Sequence, residues 1–210
     1  KLISMLEQCI LPVFETDERQ SIGGQCFIVG DYLITAAHVI ELTNKPYIKM
    51  GHDIFLKKEE ALAYSYTPMV NRLEDYEDYA IFHLSNAPTS ILQFSEMGRD
   101  NKLLCNYHRK ESQENILINE NNIFSFIERS HMIPNTKTCL LTSLAILDAV
   151  ISPRLFQCKV SPILEKGDSG CPIFTTDNQV LGFLIGAKKE NPSIHIFHSA
   201  TFIKNLIKHE

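Results

Sequence analysis

The sequence predicts an all-β protein, a β-barrel architecture closed by one C-terminal α-helix. Three observations predict it. Most readable segments are short and rich in Ile, Val, Phe and Tyr, the side chains that suit a pleated, half-buried surface. Gly, Asn, Asp and Pro separate them, as turns require. One helical pattern ends the chain, and many short strands with a single terminal helix point to a barrel.

The elements follow in order. Residues 2–8 form a short helix with Leu2, Met5 and Leu6 on one side. "QCFIVG" (25–30) and "YLITAA" (32–37) are strands joined by a hairpin turn over Val29 to Tyr32. Further strands are "YAIFHL" (79–84), "NIFSFI" (122–127), "LFQCKV" (155–160), "CPIF" (171–174) and "QVLGFLIG" (179–186). "SLAILDAVI" (143–151) reads equally as helix or strand. "TFIKNLIKHE" (201–210) is a helix capped by Thr201, with Phe202, Ile203, Leu206 and Ile207 inward. The polar run "SNAPTS" (85–90) divides the chain into two similar barrels, residues 1–90 and 91–210. There is no internal repeat and no low-complexity segment.

Composition narrows the function. Hydrophobic residues at 44% and charged residues at 21% suit a soluble globular chain of 210 residues with a substantial core. A net charge of −5 gives no basic footprint, so nucleic acid is not an expected partner. The longest apolar run, residues 139–151, is too short to span a bilayer and contains Asp148, so no membrane partner is expected. Six cysteines, at 9, 26, 105, 139, 158 and 171, include no CxxC pair, which argues against zinc. They are expected to be mostly free, buried thiols in a reducing, cytoplasmic compartment. "KLISMLEQCILPVF" lacks the features of a signal peptide. The missing initiator Met suggests processing or release from a larger parent chain.

One stretch carries chemistry: "LEKGDSGCPIF", Leu164 to Phe174. Gly167 and Gly170 permit a tight turn that exposes the Ser169 hydroxyl beside outward N–H groups. That suits a nucleophile whose product oxyanion needs fixed donors, and it also suits an ordinary surface turn. A base and a residue to orient it would decide. His38 follows the small residues Thr35-Ala36-Ala37 in "YLITAAHVI", which let another group approach the ring. Asp78 stands at the start of a strand in "EDYAIFHL", where it can be buried against the imidazole; Asp75 and Glu77 compete for the role.

"GQCFIVGDYLITAAHVI", "DYAIFHL" and "GDSGCPIF…QVLGFLIG" together resemble the trypsin-like (chymotrypsin-fold) serine proteases. The order His, Asp, Ser, with separations of 40 and 91 residues, is similar to that family. The closest likeness is to bacterial glutamyl endopeptidase-like and HtrA-type members. The resemblance covers about residues 10–207 and is weak between 90 and 160. It implies two six-stranded antiparallel β-barrels and a serine endopeptidase acting through an acyl-enzyme. Ser169 would be the nucleophile, His38 the base and Asp78 its orienter, with the Gly167 and Ser169 N–H groups as oxyanion hole. No cofactor or metal is implied.

The resemblance also places the S1 pocket, which receives the residue before the scissile bond. Its walls would be Ile163 and Leu164, the segment Leu184 to Ala187 including Gly186, and the strand near Ser199. Ile163 stands about where trypsin carries an acid, so an apolar P1 residue is expected. The animal disulfide beside the histidine is absent, and "SIGG" (21–24) lies inside the chain, so Asp168 needs a partner that the sequence does not identify. The expected partners are a protein or peptide substrate and a regulator or parent chain. The alternatives are a viral polyprotein-processing protease and a catalytically silent peptide-binding pseudoprotease.

Overall fold

A computed structural model describes residues 2–95, 102–111 and 137–208, and its strands start where the β-branched and aromatic runs start. Helix α1 (Leu2–Cys9) leads into β1 (Ile10–Phe14), whose residues are all buried. Then come β2 (Ile22–Val29), β3 (Tyr32–Thr35), the short helix α2 (Ala37–Leu42), β4 (Tyr47–Met50), β5 (His52–Phe55), β6 (Ala63–Tyr66) and β7 (Asp78–His83). These strands form an antiparallel sheet in the order β5-β4-β1-β2-β3-β7-β6. The β2–β3 hairpin pairs Val29 with Tyr32, and Gly30 takes the positive φ (58°) that its two-residue turn demands.

The second sheet contains β8 (Gln93–Phe94), β9 (Leu103–Lys110), β10 (Thr138–Ser152), β11 (Leu155–Ser161), β12 (Pro172–Phe174), β13 (Gln179–Ala187) and β14 (Ile194–Ser199). Its order is β12-β9-β10-β11-β14-β13-β8, and a β12–β13 pairing closes six of these strands into a barrel. Strand β8 runs parallel to β13 at its margin. Helix α3 (Ala200–Lys208) follows. The change from one sheet to the other falls between His83 and Gln93.

The all-β class and the terminal helix agree with expectation, but only the second barrel is closed. The first sheet is a half-barrel: among the described residues no ladder joins β5 to β6. Its edge explains why. Strand β5 is short, exposes His52, Asp53 and Phe55, and carries a Lys49–Asp53 ion pair, and such charged edges resist further pairing. "SLAILDAVI" is strand, because β9 and β11 bond it on both sides and tertiary pairing overrides its ambiguous local preference. The expected strand at 122–127 lies outside the described residues. The cap of α3 is Ser199 rather than Thr201: Phe202 N–H donates to Ser199 Oγ (3.3 Å).

Two apolar clusters hold these sheets. One joins Phe27, Ile34 and Ile81 of the first sheet to Phe174, Val180 and Phe183 of the second, so the sheets share a core across their seam. The Phe27 and Phe183 rings lie 6.1 Å apart there, a pairing that adds about 1 kcal/mol beyond burial. The other fills the closed barrel around Tyr107, Phe156 and Phe197. All six cysteines are free thiols, and five are buried. Burial pushes the Cys26 and Cys158 thiols well above their ordinary values.

Gly182 of β13 offers a test of the seam between β13 and β14. A Cβ there would lie 2.1 Å from the His198 carbonyl oxygen, which is backbone and cannot yield cheaply. Gly182→Ala should therefore cost about 3 kcal/mol in urea unfolding. An unchanged midpoint would show that the two strands separate more easily than their ladder implies.

Candidate active site

His38 sits in the first turn of α2, immediately after β3. A helix start leaves its first N–H groups without intrahelical partners, and Ala36 at the cap position has no side chain to serve them. Asp78 serves instead, from the first residue of β7: Oδ1 accepts the His38 main-chain N–H (2.8 Å). Its other oxygen accepts the ring Nδ1–H at 2.5 Å and the Tyr76 hydroxyl at 3.0 Å. Asp78 is fully buried, whereas the His38 side chain is 22% exposed. With Nδ1 donating, Nε2 is the ring's basic nitrogen. Asp75 pairs with the exposed Arg72, and Glu77 with Arg154 and Ser65, so neither competitor reaches the imidazole.

Behind Asp78 lies a histidine of the second sheet. His198 of β14 accepts the Asp78 main-chain N–H on Nε2 (2.8 Å), and its Nδ1 donates to the Arg154 carbonyl (3.1 Å). The second sheet thus fixes the backbone of a carboxylate supplied by the first. Burial pushes the His198 pKa down to about 4, in keeping with an Nε2 that must stay unprotonated to accept.

Ser169 lies in the turn between β11 and β12, where Gly167 (φ 100°) and Gly170 (φ 91°) occupy left-handed space. No side chain fits at Gly170, since a Cβ would meet the Gln25 carbonyl oxygen at 2.1 Å. The turn docks on the first sheet: Gln25 N–H donates to the Ser169 carbonyl (2.7 Å), and Thr35 Oγ1 donates to the Gln25 carbonyl (2.7 Å). A Cβ at Gly24 would touch both the Val39 side chain and the Ser169 carbonyl oxygen, which places Ser169 beside the residue following His38. No hydrogen bond joins Ser169 Oγ to the His38 ring among the described residues; such contacts commonly tighten only with substrate bound. The N–H groups of Gly167 and Ser169 have no protein acceptor among the described residues, whereas Gly170 N–H is committed to the Leu184 carbonyl (2.8 Å).

Asp168, the residue before Ser169, has an internal partner. Arg109 of β9 reaches its Oδ2 at 2.7 Å, and the Glu165 N–H donates to the same oxygen (2.7 Å). Burial pushes this carboxyl above its ordinary value, and those two donors pull it back. The Arg109–Asp168 pair could not be anticipated from sequence, because 59 positions separate its members.

The expected S1 residues divide. Leu164 and Leu184 are buried beside the turn, and Gly186 has open space around it. Ile163 is 46% exposed. The Ser199 hydroxyl donates to the Pro153 carbonyl (2.8 Å) and caps α3. His195 of β14, which no motif singled out, is buried and accepts the Leu164 N–H on Nε2 (3.2 Å). Among the described residues no three His, Cys, Asp or Glu side chains gather as a metal site.

No family model and no curated protein matches the chain. Solved structures do. The active form of the Rv3671c protease from M. tuberculosis is 18% identical with a TM-score of 0.58, over 99% of this chain and 82% of that one. Tobacco etch virus protease complexed with product is 13% identical at TM-score 0.58, over 94% of this chain and 75% of that one. The serine endoprotease from Yersinia pestis is 15% identical at TM-score 0.58, over 99% of this chain and 64% of that one. The chain therefore has the trypsin-like, chymotrypsin-type protease fold.

The neutral His198 gives a pH signature with a definite sign. Its native pKa lies below the unfolded value near 6.5, so the unfolded chain binds the proton first as pH falls. Stability is full above about pH 6.5 and declines toward pH 4, by up to about 3 kcal/mol from this residue. His108 and His195, also pushed down by burial, act in the same direction. Denaturant unfolding at pH 7 and pH 4.5 should show the loss, and His198→Gln should reduce it. An equal pH dependence in the variant would exclude His198 as its source.

Proposed function

We propose that this chain is a serine endopeptidase that cuts protein or peptide substrates through an acyl-enzyme. One observation carries the proposal: a buried carboxylate holds His38 by both its ring and its main chain, next to a serine turn with two uncommitted N–H groups. Ser169 Oγ attacks the scissile carbonyl while His38 Nε2 takes its proton. The negative oxygen that forms is received by the Gly167 and Ser169 N–H groups, a type of contact whose loss costs about 3 kcal/mol of barrier lowering. His38 returns the proton to the leaving amine, and water then releases the acyl group by the same steps reversed. Asp78 keeps the imidazole in the Nδ1–H tautomer throughout and stabilises the imidazolium. The substrate class is consistent with the product-bound and substrate-bound states of tobacco etch virus protease, which shares the fold.

The P1 preference we propose is apolar. Leu164 and Leu184 flank the turn, and burying a Leu- or Phe-sized group between such residues gains about 1.5–3 kcal/mol. The expected wall residues Ile163, Leu164, Leu184, Gly186 and Ser199 include no acid, and the neighbouring Glu165 approaches Arg109 (3.4 Å).

A fluorophosphonate probe tests the nucleophile directly. The folded protein should be labelled on Ser169, and Ser169→Ala should abolish labelling. Asp78→Asn should keep the fold and lose roughly 10⁴-fold in turnover, because the amide favours the wrong imidazole tautomer. A folded protein that the probe never labels would support the silent peptide-binding reading instead.

A P1 library scan tests the pocket, with Leu, Met and Phe expected to lead. Preference for Gln or Glu would assign the P1 contact to His195 and overturn the apolar pocket. Preference for Lys or Arg would show that the walls lie elsewhere.

A further inference from the structure

We infer that Gln25 is a positioning residue for the oxyanion-binding turn, holding Gly167 and Ser169 in the geometry that receives the tetrahedral oxygen. The inference rests on the reading of Ser169 as nucleophile and adds to it a residue outside the triad.

Gln25 lies on β2 of the first sheet and is fully buried. A buried amide must find partners for two N–H protons and an oxygen. Here every one of them is used. Oε1 accepts the His108 main-chain N–H (2.8 Å), while Nε2 donates to the His108 carbonyl (2.9 Å) and to the Gly167 carbonyl (3.0 Å). The amide therefore reads the backbone of β9 as a neighbouring strand would. Two carbonyl acceptors on one side and an N–H on the other admit only one orientation of the group. The main chain of the same residue holds the Ser169 carbonyl.

One residue thus draws inward the carbonyls of Gly167 and Ser169, on either side of Asp168. Between them the Asp168 N–H is tied back to the Glu165 carbonyl (3.0 Å). Those carbonyls share peptide planes with the Asp168 and Gly170 N–H groups, both bonded inside the fold, so the flanking N–H groups of Gly167 and Ser169 are left as the uncommitted donors of the turn. Little else secures it on the outer side, where an open cavity of about 300 Å³ is lined by Ser21, Ile22, Arg109, Lys110, Lys166 and Asp168. Gly167 has a glycine's conformational freedom at φ 100°. If its carbonyl were released, the Gly167–Asp168 peptide would be freer to rotate and, through the torsions on either side of it, to turn the flanking Gly167 and Ser169 N–H groups out of aim. Arg109 anchors the Asp168 side chain and the Cys171 N–H takes the Asp168 carbonyl (3.1 Å), while Gln25 takes the carbonyls of Gly167 and Ser169.

The consequence concerns the transition state and not substrate affinity. The uncharged ground-state carbonyl gains little from the two donors, whereas the developing oxyanion gains much. Gln25→Met keeps length and volume but removes both donors. It should lower kcat about 30-fold with KM unchanged, weaken a peptide boronic acid by a similar factor, and leave the low-field His38 Nδ1 proton resonance in place. Gln25→Glu adds a second readout. Ionised, the introduced carboxyl faces two carbonyls as an acceptor; protonated, it can donate to one. Its kcat should therefore fall with rising pH over a range where the unsubstituted protein is flat.

A purely structural role predicts a different pattern: a lowered melting temperature with kcat and boronate affinity within about threefold of the unsubstituted protein. That result would overturn the inference, as would a rise in KM alone. Should Gln25→Met fail to fold, the pH profile of Gln25→Glu decides. Should the unsubstituted protein resist fluorophosphonate, the nucleophile reading fails by itself. The positioning claim is then judged by amide exchange at Gly167 and Ser169, expected to quicken in Gln25→Met and overturned if unchanged.

Discussion

The structure depends on satisfying one fully buried carboxylate. An unpaired buried ion would cost far more than any single core contact returns, so the chain surrounds Asp78 with donors. The ring and main chain of His38 and the hydroxyl of Tyr76 serve the two oxygens, while the Asp78 N–H is taken by His198. Three of those contacts come from the first sheet and one from the second. Satisfying Asp78 therefore requires both sheets in register, and the apolar contact between Phe27 and Phe183 holds that seam shut. Removing any donor leaves the others facing an under-solvated charge, which is why such a network is costly to leave half made.

The same seam repeats the pattern at the Ser169 turn. Gln25 from the first sheet bonds the turn, and His108 and Arg109 from the second secure Gln25 and Asp168. The buried polar residues Gln25, Thr35, Asp78, Asp168, His108 and His198 all lie at or beside this junction. No buried side-chain nitrogen or oxygen lacks a partner among the described residues. An oily seam alone would permit many relative positions of the two sheets. Directional bonds restrict them to the one in which His38 and the Ser169 turn converge.

Local chemistry made much of this legible in the sequence. The hairpin at Gly30, the glycine-framed serine and the carboxylate at the head of a strand each follow from nearby residues, and their joint order implied the fold. What escaped was long-range. Nothing near Gln25 announces that its amide will bond His108, which is 83 positions away. Asp78 and His198 are 120 positions apart. A histidine in an apolar strand reads as an ordinary core residue, and Arg109 as a surface charge. The resemblance implied two closed barrels, but polar side chains along β5 leave the edge of the first sheet open. The role of Ser199 at the start of α3 escaped for a related reason: its hydroxyl bonds Pro153, 46 positions away.

The internal anchoring of the turn bears on regulation. Where a buried acid next to a nucleophile must wait for a newly freed chain terminus, the catalytic geometry is conditional on cleavage. Here a guanidinium on β9 supplies the positive partner, and β9 is bonded along its length to β10 and joined to β12. That partner is available as soon as the barrel closes. Arg109 is itself only partly buried and also approaches Glu165 (3.4 Å), on the rim of the open cavity beside the turn. Solvent screening weakens an ion pair in such a position, so its neighbourhood is the softer side of the turn. The harder side is the neutral, fully buried amide of Gln25, which carries no charge for salt to screen. Of the two restraints, the uncharged one sets the geometry and the charged one compensates the buried acid.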